Sequence, residues 1–227
     1  MSSKTEILPI HGWGFDETFW DALGNEIGNE YSILKWRRGY FSDALHNDFS
    51  GNADLNVLIA HSFGAHLLSH SWIDKADLLI IISGFITFHP GTPQFRKRSR
   101  AVLKNMMEKL NESTDEVLSD FYTNCFAPHN CSLEPPSDFN KEILMKDLNA
   151  LNHAKLNMEA LQKVPNICII HGTSDRIVPN MKGRELFRQL GEQAKYYEIK
   201  KTGHALPVTD AKTCWKFIEP EIDVSAQ

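Results

Sequence analysis

The chain has 227 residues, a net charge of −5, 42% hydrophobic and 23% charged residues, which suits one sizeable domain with its own core and excludes a whole-molecule attraction for nucleic acid. Residues 1–6 are polar and no stretch approaches the ~20 apolar residues of a membrane span, so neither a signal peptide nor an anchor is expected and the chain is placed in the cytoplasm. The cysteines, Cys125, Cys131, Cys168 and Cys214, show no C-x-x-C or metal-ligand spacing and are expected as free thiols in a reducing compartment, with Cys168 in the core.

Strand and helix patterns alternate from the start. Residues 6–10, with an apolar run over 7–10, predict a buried strand leading straight into His11-Gly12-Trp13-Gly14, a tight loop that exposes backbone N–H groups. Residues 17–27 carry Phe19, Trp20, Leu23 and Ile27 at helical spacing. A second strand is predicted over 31–36, then a polar loop over 37–54 with room for one short helix around Ala44. A third strand covers 56–60, and a helix is expected from Phe63 to about Lys75. Residues 77–83 are almost entirely apolar, the pattern of a strand in a parallel sheet covered on both faces.

The alternation then stops. Residues 85–163 hold no convincing strand but have helical runs over 94–110, 114–126 and 139–161, with Pro128, Pro135 and Pro136 breaking the chain between the last two. Strand character resumes at 166–170, followed by His171-Gly172-Thr173-Ser174-Asp175-Arg176, a helix over 181–190, a strand over 196–200, Lys201-Thr202-Gly203-His204 and a helix over 209–218. The layout predicts an α/β fold: a mostly parallel sheet of about six strands in a core of residues 1–84 and 164–227, with a helical cap inserted over 85–163.

Ligands of such sheets sit outside the carboxyl ends of the strands. Four polar sites fall there: His11-Gly12-Trp13, Ser62, Asp175 and His204. Ala60-His61-Ser62-Phe63-Gly64 has small residues two places before and after a serine that follows a strand and precedes a helix, the pattern of a nucleophile elbow with Ala60 in place of the usual first glycine. A serine needs a base that titrates near neutrality and a group to orient that base. The order Ser62, Asp175, His204 suits nucleophile, orienting carboxylate and general base. Backbone N–H groups of Phe63 and Trp13 are the expected oxyanion hole, assisted by the N-terminal amides of the helix after Ser62.

These motifs together make the sequence resemble the α/β-hydrolase superfamily over essentially its whole length, through Ile10-His11-Gly12-Trp13-Gly14, Ala60-His61-Ser62-Phe63-Gly64, the stretch from His171 to Pro179, and Gly203-His204-Ala205. The resemblance implies a carboxylesterase-type triad of Ser62, Asp175 and His204 under a cap, with no cofactor and no metal. The chain starts almost at the strand bearing His11, so the family's first two antiparallel strands are expected to be missing. Within the superfamily the His-Gly-Trp-Gly loop, compact size and helical cap look most like the carboxylesterases that demethylate pimeloyl-acyl-carrier-protein methyl ester in biotin synthesis.

The cap holds one unusual charge pattern. From 94 to 104 there are five basic residues, Arg96, Lys97, Arg98, Arg100 and Lys104, and no acid. Phe95, Val102, Leu103, Met106 and Leu110 are expected on the buried face, with Lys97, Arg100 and Lys104 opposite. The stripe is either a dock for an acidic partner, such as acyl carrier protein, or a solvated helix face. His61 either lines the substrate pocket or packs behind the loop. His66 and His70 stand at metal-ligand spacing without a carboxylate partner. Phe85, Phe88, Phe121 and Phe126 either wall an apolar acyl tunnel or pack the cap, and packing is the expectation for any single one.

The expected activity is hydrolysis of a methyl ester on a carrier-bound acyl chain through an acyl-enzyme. Two alternatives stay open. One is the same fold cleaving or eliminating on a small anionic substrate, as in menaquinone synthesis or carbon–carbon hydrolysis. The other is a non-catalytic ligand sensor.

Overall fold

The protein's structure, a computed structural model, describes residues 4–130 and 133–226. Among them the strands are, in chain order, β1 (Thr5–Ile10), β2 (Tyr31–Ile33), β3 (Trp36–Arg37), β4 (Leu45–His46), β5 (Leu55–His61), β6 (Leu78–Ile82), β7 (Asn166–Gly172) and β8 (Ala194–Ile199). Six form one sheet in the order β2-β1-β5-β6-β7-β8, and every neighbouring pair is parallel. The chain steps outward from β1 to β2, returns to β5 on the other side of β1, and continues through β6, β7 and β8. The point where the order reverses lies between β1 and β5, where a crevice opens at the carboxyl ends in sheets of this kind. Ile10 is paired there with Ala60, so the loop after β1 and the turn after β5 emerge side by side.

The helices are α1 (Asp21–Gly24), α2 (His70–Lys75), α3 (Pro93–Glu112), α4 (Thr114–Phe126), α5 (Lys141–Ala150), α6 (Met158–Leu161), α7 (Met181–Leu190), α8 (Leu206–Thr209) and α9 (Ala211–Ser225). Alternation along each strand sends side chains to opposite faces. Ile7, Val57, Ile59, Ile80 and Ile170 meet Trp215, Ile218 and Ile222 of α9 on one face; Leu8, Leu58, Leu79, Ile81 and Ile169 meet Trp72 and Ile73 of α2 and Leu186 of α7 on the other. Each buried aliphatic side chain of this kind contributes about 1.5–3 kcal/mol relative to exposure. The segment between β6 and β7 supplies α3 to α6. Its buried residues Leu103, Leu110, Leu118, Tyr122, Leu144 and Leu148 belong to the same apolar cluster as Ile7 and Val57.

The structure corrects several local expectations. Around Ala44 there is no helix: Leu45–His46 pairs with Trp36–Arg37, and the His46 ring stacks on Trp36 with centroids 5.9 Å apart. Residues 139–161 hold two helices, because Leu156 N–H bonds to Ile86 O at 2.9 Å and the Asn157 side chain caps the start of α6. The turn after Ser62 is a 3-10 segment, Ser62–Leu67, and α2 begins afresh behind Ser69, whose hydroxyl accepts from Trp72 N–H. The α-helix expected to begin at Phe63, with its aligned peptide dipoles, is therefore absent.

The buried stripe of α3 also differs. Leu103 and Leu110 are buried and Met106 and Met107 partly so, whereas Phe95 and Val102 are 58% and 62% exposed. The helix packs against α4 and α5, and its first buried residue is Leu103, at its middle. Cys125, Cys168 and Cys214 are buried free thiols; Cys131 lies outside the described residues. Among the described residues no helix is long and apolar enough to cross a membrane.

Candidate active site

Ser62 follows the last residue of β5 and takes a left-handed backbone, with φ of 53°. Such a conformation is costly outside glycine and persists where the surroundings enforce it. The turn that follows runs tight against β1. A Cβ at Gly64 would stand 2.5 Å from Ile10 O and 2.7 Å from His11 O, so the turn clears the end of β1 only with glycine at that place. Ala60, two residues before Ser62, lies within β5 between β1 and β6, where its methyl group fits fully buried. The departure from glycine at 60 thus carries no steric conflict.

Asp175 and His204 come from the loops after β7 and β8 and meet directly. His204 Nδ1 lies 2.7 Å from Asp175 Oδ2, and both side chains are at most 1% exposed. Asp175 Oδ1 accepts from the backbone N–H groups of Ile177 and Val178, each at 2.8 Å. His171 Nε2 bonds to Val178 O at 2.8 Å and lies 3.2 Å from Asp175 Oδ2. Burial by itself raises the Asp175 carboxyl, but the neighbouring charge of His204 and the hydrogen bonds from His171 and His204 outweigh it and hold the group well below the usual carboxylate range. With Nδ1 committed to Asp175, His204 Nε2 is left buried and without a hydrogen-bond partner among the described residues. That is the atom a general base must keep free.

The loop after β1 lies against the elbow. A Cβ at Gly12 would be 3.2 Å from Ser62 Cβ and 2.9 Å from His61 Nδ1. His11 is fixed in one tautomer: Nδ1 donates to Gly12 O at 2.9 Å, and Nε2 accepts from Arg38 N–H at 3.3 Å. Burial pushes its imidazole down to about 4, so His11 is neutral. The side of this loop facing the helical segment is tied twice. Trp13 Nε1 donates to Leu144 O in α5 at 2.8 Å, and Tyr122 Oη of α4 donates to Gly14 O at 2.7 Å. The structure therefore gathers Trp13, Ser62 and Phe63 at the ends of β1 and β5, and Asp175 with His204 at the ends of β7 and β8.

His61 does not stand on an open pocket wall. It is fully buried, its ring enclosed by Phe19 at 4.5 Å, His204 at 4.7 Å and Phe15 at 6.0 Å between centroids. Burial, and secondarily the neighbouring His204, keep it neutral. On the far side of Phe15 and Phe19 is a cavity of about 140 Å³, lined also by Tyr122, Phe126 and Val208. Phe126 lines this cavity, whereas Phe85 packs on His66 and Phe88, and Phe121 packs edge-on to Trp13. His66 Nε2 bonds to Phe85 O at 3.1 Å, which occupies one of its two ring nitrogens.

Arg96, Lys97, Arg100 and Lys104 are all exposed on α3. Arg96 is turned back on the chain, donating to Pro90 O at 3.1 Å and Gly91 O at 2.7 Å. Lys104 lies 3.5 Å from Glu108 one turn on. Among the described residues no acidic side chain pairs with Lys97 or Arg100.

Sequence reasoning missed several residues of the site's frame. Ser83, at the carboxyl end of β6, donates to His204 O at 3.0 Å; its signal was a polar residue closing an apolar strand. His171 opens the stretch that runs to Pro179, and nothing in that stretch marks it as a partner of Asp175. Arg38 and Tyr40 converge on the buried Asp147 carboxylate of α5, at 2.6 and 2.8 Å for Arg38 and 2.8 Å for Tyr40 Oη. Nothing local marks that trio.

No protein-family description and no curated protein matches the chain. Among solved structures it is similar to an esterase from Exiguobacterium antarcticum at 15% identity and a TM-score of 0.81, with 98% of this chain and 93% of that one covered. It is also similar to a thermophilic esterase from Thermogutta terrifontis at 15% identity and a TM-score of 0.75, covering 98% and 91%. The enol-lactonase of Burkholderia xenovorans LB400 follows the same pattern, with 15% identity, a TM-score of 0.72 and coverage of 96% and 91%. At this identity the likeness is one of fold: the chain has the α/β-hydrolase fold.

Proposed function

We propose that the protein is a serine hydrolase acting on carboxylic esters, with Ser62 as nucleophile, His204 as general base and Asp175 as its orienting carboxylate. The observation that carries this reading is the buried His204–Asp175 hydrogen bond of 2.7 Å, which leaves Nε2 unpartnered at the sheet edge where Ser62 holds its left-handed turn. The esterase and lactonase activities in the names of similar structures support the class.

In this mechanism Ser62 Oγ attacks the ester carbonyl carbon while His204 Nε2 takes its proton. The tetrahedral oxyanion is held by the N–H groups of Trp13 and Phe63; each such donor is worth roughly 3 kcal/mol of barrier. Collapse breaks the carbon–oxygen bond to the alcohol, which leaves with the proton from Nε2. Water then attacks the acyl-enzyme, giving its proton to Nε2. The acid departs, and Ser62 is reprotonated. Asp175 remains ionised throughout and stabilises the imidazolium.

The finer assignment is a methyl ester at the end of an acyl chain carried by acyl carrier protein, of the pimeloyl type. The helices between β6 and β7 act as the cap, and the exposed Lys97, Arg100 and Lys104 serve as the rim that receives the acidic carrier. Its support is the exposed basic face of α3, where Lys97 and Arg100 have no acidic partner among the described residues, on a chain of net charge −5.

The deciding experiment is mass-spectrometric hydrolysis of pimeloyl methyl ester, carrier-linked and on a small thiol, at low and high salt, alongside fluorophosphonate labelling. Labelling at Ser62 with fast, salt-sensitive demethylation of the carrier-linked form is expected. Labelling with equal rates on both substrates keeps the esterase and removes the carrier. Absence of labelling in folded protein sinks the serine-hydrolase reading.

A further inference from the structure

The hydrogen bonding of His204 is complete apart from one atom. Its N–H and that of Ala205 both donate to Cys125 O at 3.1 Å. Nδ1 lies on Asp175. Its backbone carbonyl accepts two side-chain donors, His61 Nε2 at 3.1 Å and Ser83 Oγ at 3.0 Å. The peptide units on both sides of Cα204 are therefore pinned, and only Nε2 is left.

The two donors to the carbonyl come from the ends of adjacent strands, β5 and β6, and each is held at a cost to the fold. His61 is fully buried, and its Nδ1 has no hydrogen bond among the described residues. To reach the carbonyl, Nε2 must carry the proton, so Nδ1 is a buried acceptor left unmatched. Ser83 is fully buried with a left-handed φ of 53°, as at Ser62. An apolar residue at 61 and an alanine at 83 would remove the polar burden. A loop carbonyl needs only one partner to be satisfied. Two buried side chains converge on this one, and it belongs to the residue whose ring must be aimed.

We propose that His61 and Ser83 are positioning residues for His204, holding its backbone carbonyl so that Nε2 is presented to Ser62 Oγ. The inference rests on the serine-hydrolase reading above. Neither side chain touches substrate. Releasing the carbonyl lets the 203–205 turn shift, and a displacement on the order of 1 Å at a reacting group costs about a hundredfold in rate.

The test compares wild type with His61→Met, His61→Gln and Ser83→Ala. It measures the rate of fluorophosphonate labelling at Ser62, kcat and KM on a small ester, and the low-field NMR signal of the proton shared by His204 and Asp175. His61→Met keeps bulk but has no donor; it is expected to slow labelling about 10- to 100-fold and lower kcat with KM unchanged, and to broaden the low-field proton. His61→Gln can place an N–H near Nε2 and should recover most of the rate and the signal. Ser83→Ala should lose about tenfold on the same reading, and it carries the test alone should His61→Met fail to fold.

Folded His61→Met labelling at the wild-type rate with a sharp low-field proton overturns the proposal. So does a His61→Gln as impaired as His61→Met, since the hydrogen bond would then be immaterial. Failure of wild type itself to label at Ser62 overturns the hydrolase reading and the inference with it, a result distinct from the other two.

Discussion

The indole N–H of Trp13 donates to the backbone carbonyl of Leu144 at 2.8 Å, joining the loop after β1 to helix α5 across 131 residues of chain. The donor is buried and so is the face of Trp13 on Phe121. Trp13→Phe keeps the packing and deletes the bond, leaving Leu144 O one partner short. A loss of about 1 kcal/mol in stability is expected. The proposed oxyanion donor is the backbone N–H of this same residue, so kcat should fall about tenfold or more with a smaller change in KM. Equal kcat in folded Trp13→Phe would show that the tether does not set the loop's geometry.

Asp147 anchors the same helix to the core. Its carboxylate is buried beneath Arg38 and Tyr40, and Arg38 keeps 23% of its side chain in solvent, which tempers the electrostatic loss. Asp147→Ala should destabilise by about 2–3 kcal/mol in urea unfolding, chiefly because Tyr40 Oη is left buried without an acceptor. Asp147→Asn, which can still accept from Tyr40, should lose less. An unchanged urea midpoint in Asp147→Ala would contradict the anchoring role.

The elbow predicts opposite outcomes at its two small positions. Gly64→Ala drives a methyl group into the carbonyls of Ile10 and His11; backbone there cannot yield cheaply, and a loss of about 1–3 kcal/mol with strongly reduced Ser62 labelling is expected. Ala60→Gly only removes a methyl group from a strand. It should cost about 1 kcal/mol and leave labelling close to wild type. Thermal unfolding and probe labelling on the two variants read this contrast directly.

In the proposed mechanism Asp175 ties activity to acid stability. Its folded carboxyl is held below its unfolded value of about 4. The stabilisation is therefore fully present above that value and is lost as pH falls through the folded one. Asp175→Asn removes this linkage, so its stability should fall less steeply than that of wild type below about pH 4. At neutral pH its kcat should drop by about four orders of magnitude, because the amide no longer holds the His204 tautomer. A variant with the wild-type acid slope would show that Asp175 is not the group protonated.

Lys97, Arg100 and Lys104 are exposed, so reversing all three to glutamate should shift stability by only about 0.5 kcal/mol per site. On carrier-linked ester the rate should drop and lose its salt sensitivity. On a small-thiol ester it should not change. A parallel drop on both substrates would remove the rim from carrier binding.

The strand layout could be read from the sequence, and with it which residues follow the strand ends. A parallel sheet buried on both faces writes its strands as apolar runs, so β1, β5, β6 and β7 were legible, and a polar residue just past each run could be placed at one edge. Ser62, Asp175 and His204 emerged in that way, together with the requirement for small residues around Ser62. Tertiary structure decided what frames them. His61 and Ser83 on one carbonyl, Trp13 on Leu144, and Arg38 with Tyr40 on Asp147 are contacts between residues 107 to 143 apart. No local pattern encodes such pairs. The outward turn of Phe95 and Val102 was equally hidden, because periodicity tells which residues share a helical face but not how much of the helix has a neighbour. Burial is a property of two surfaces, and a sequence pattern describes only one of them.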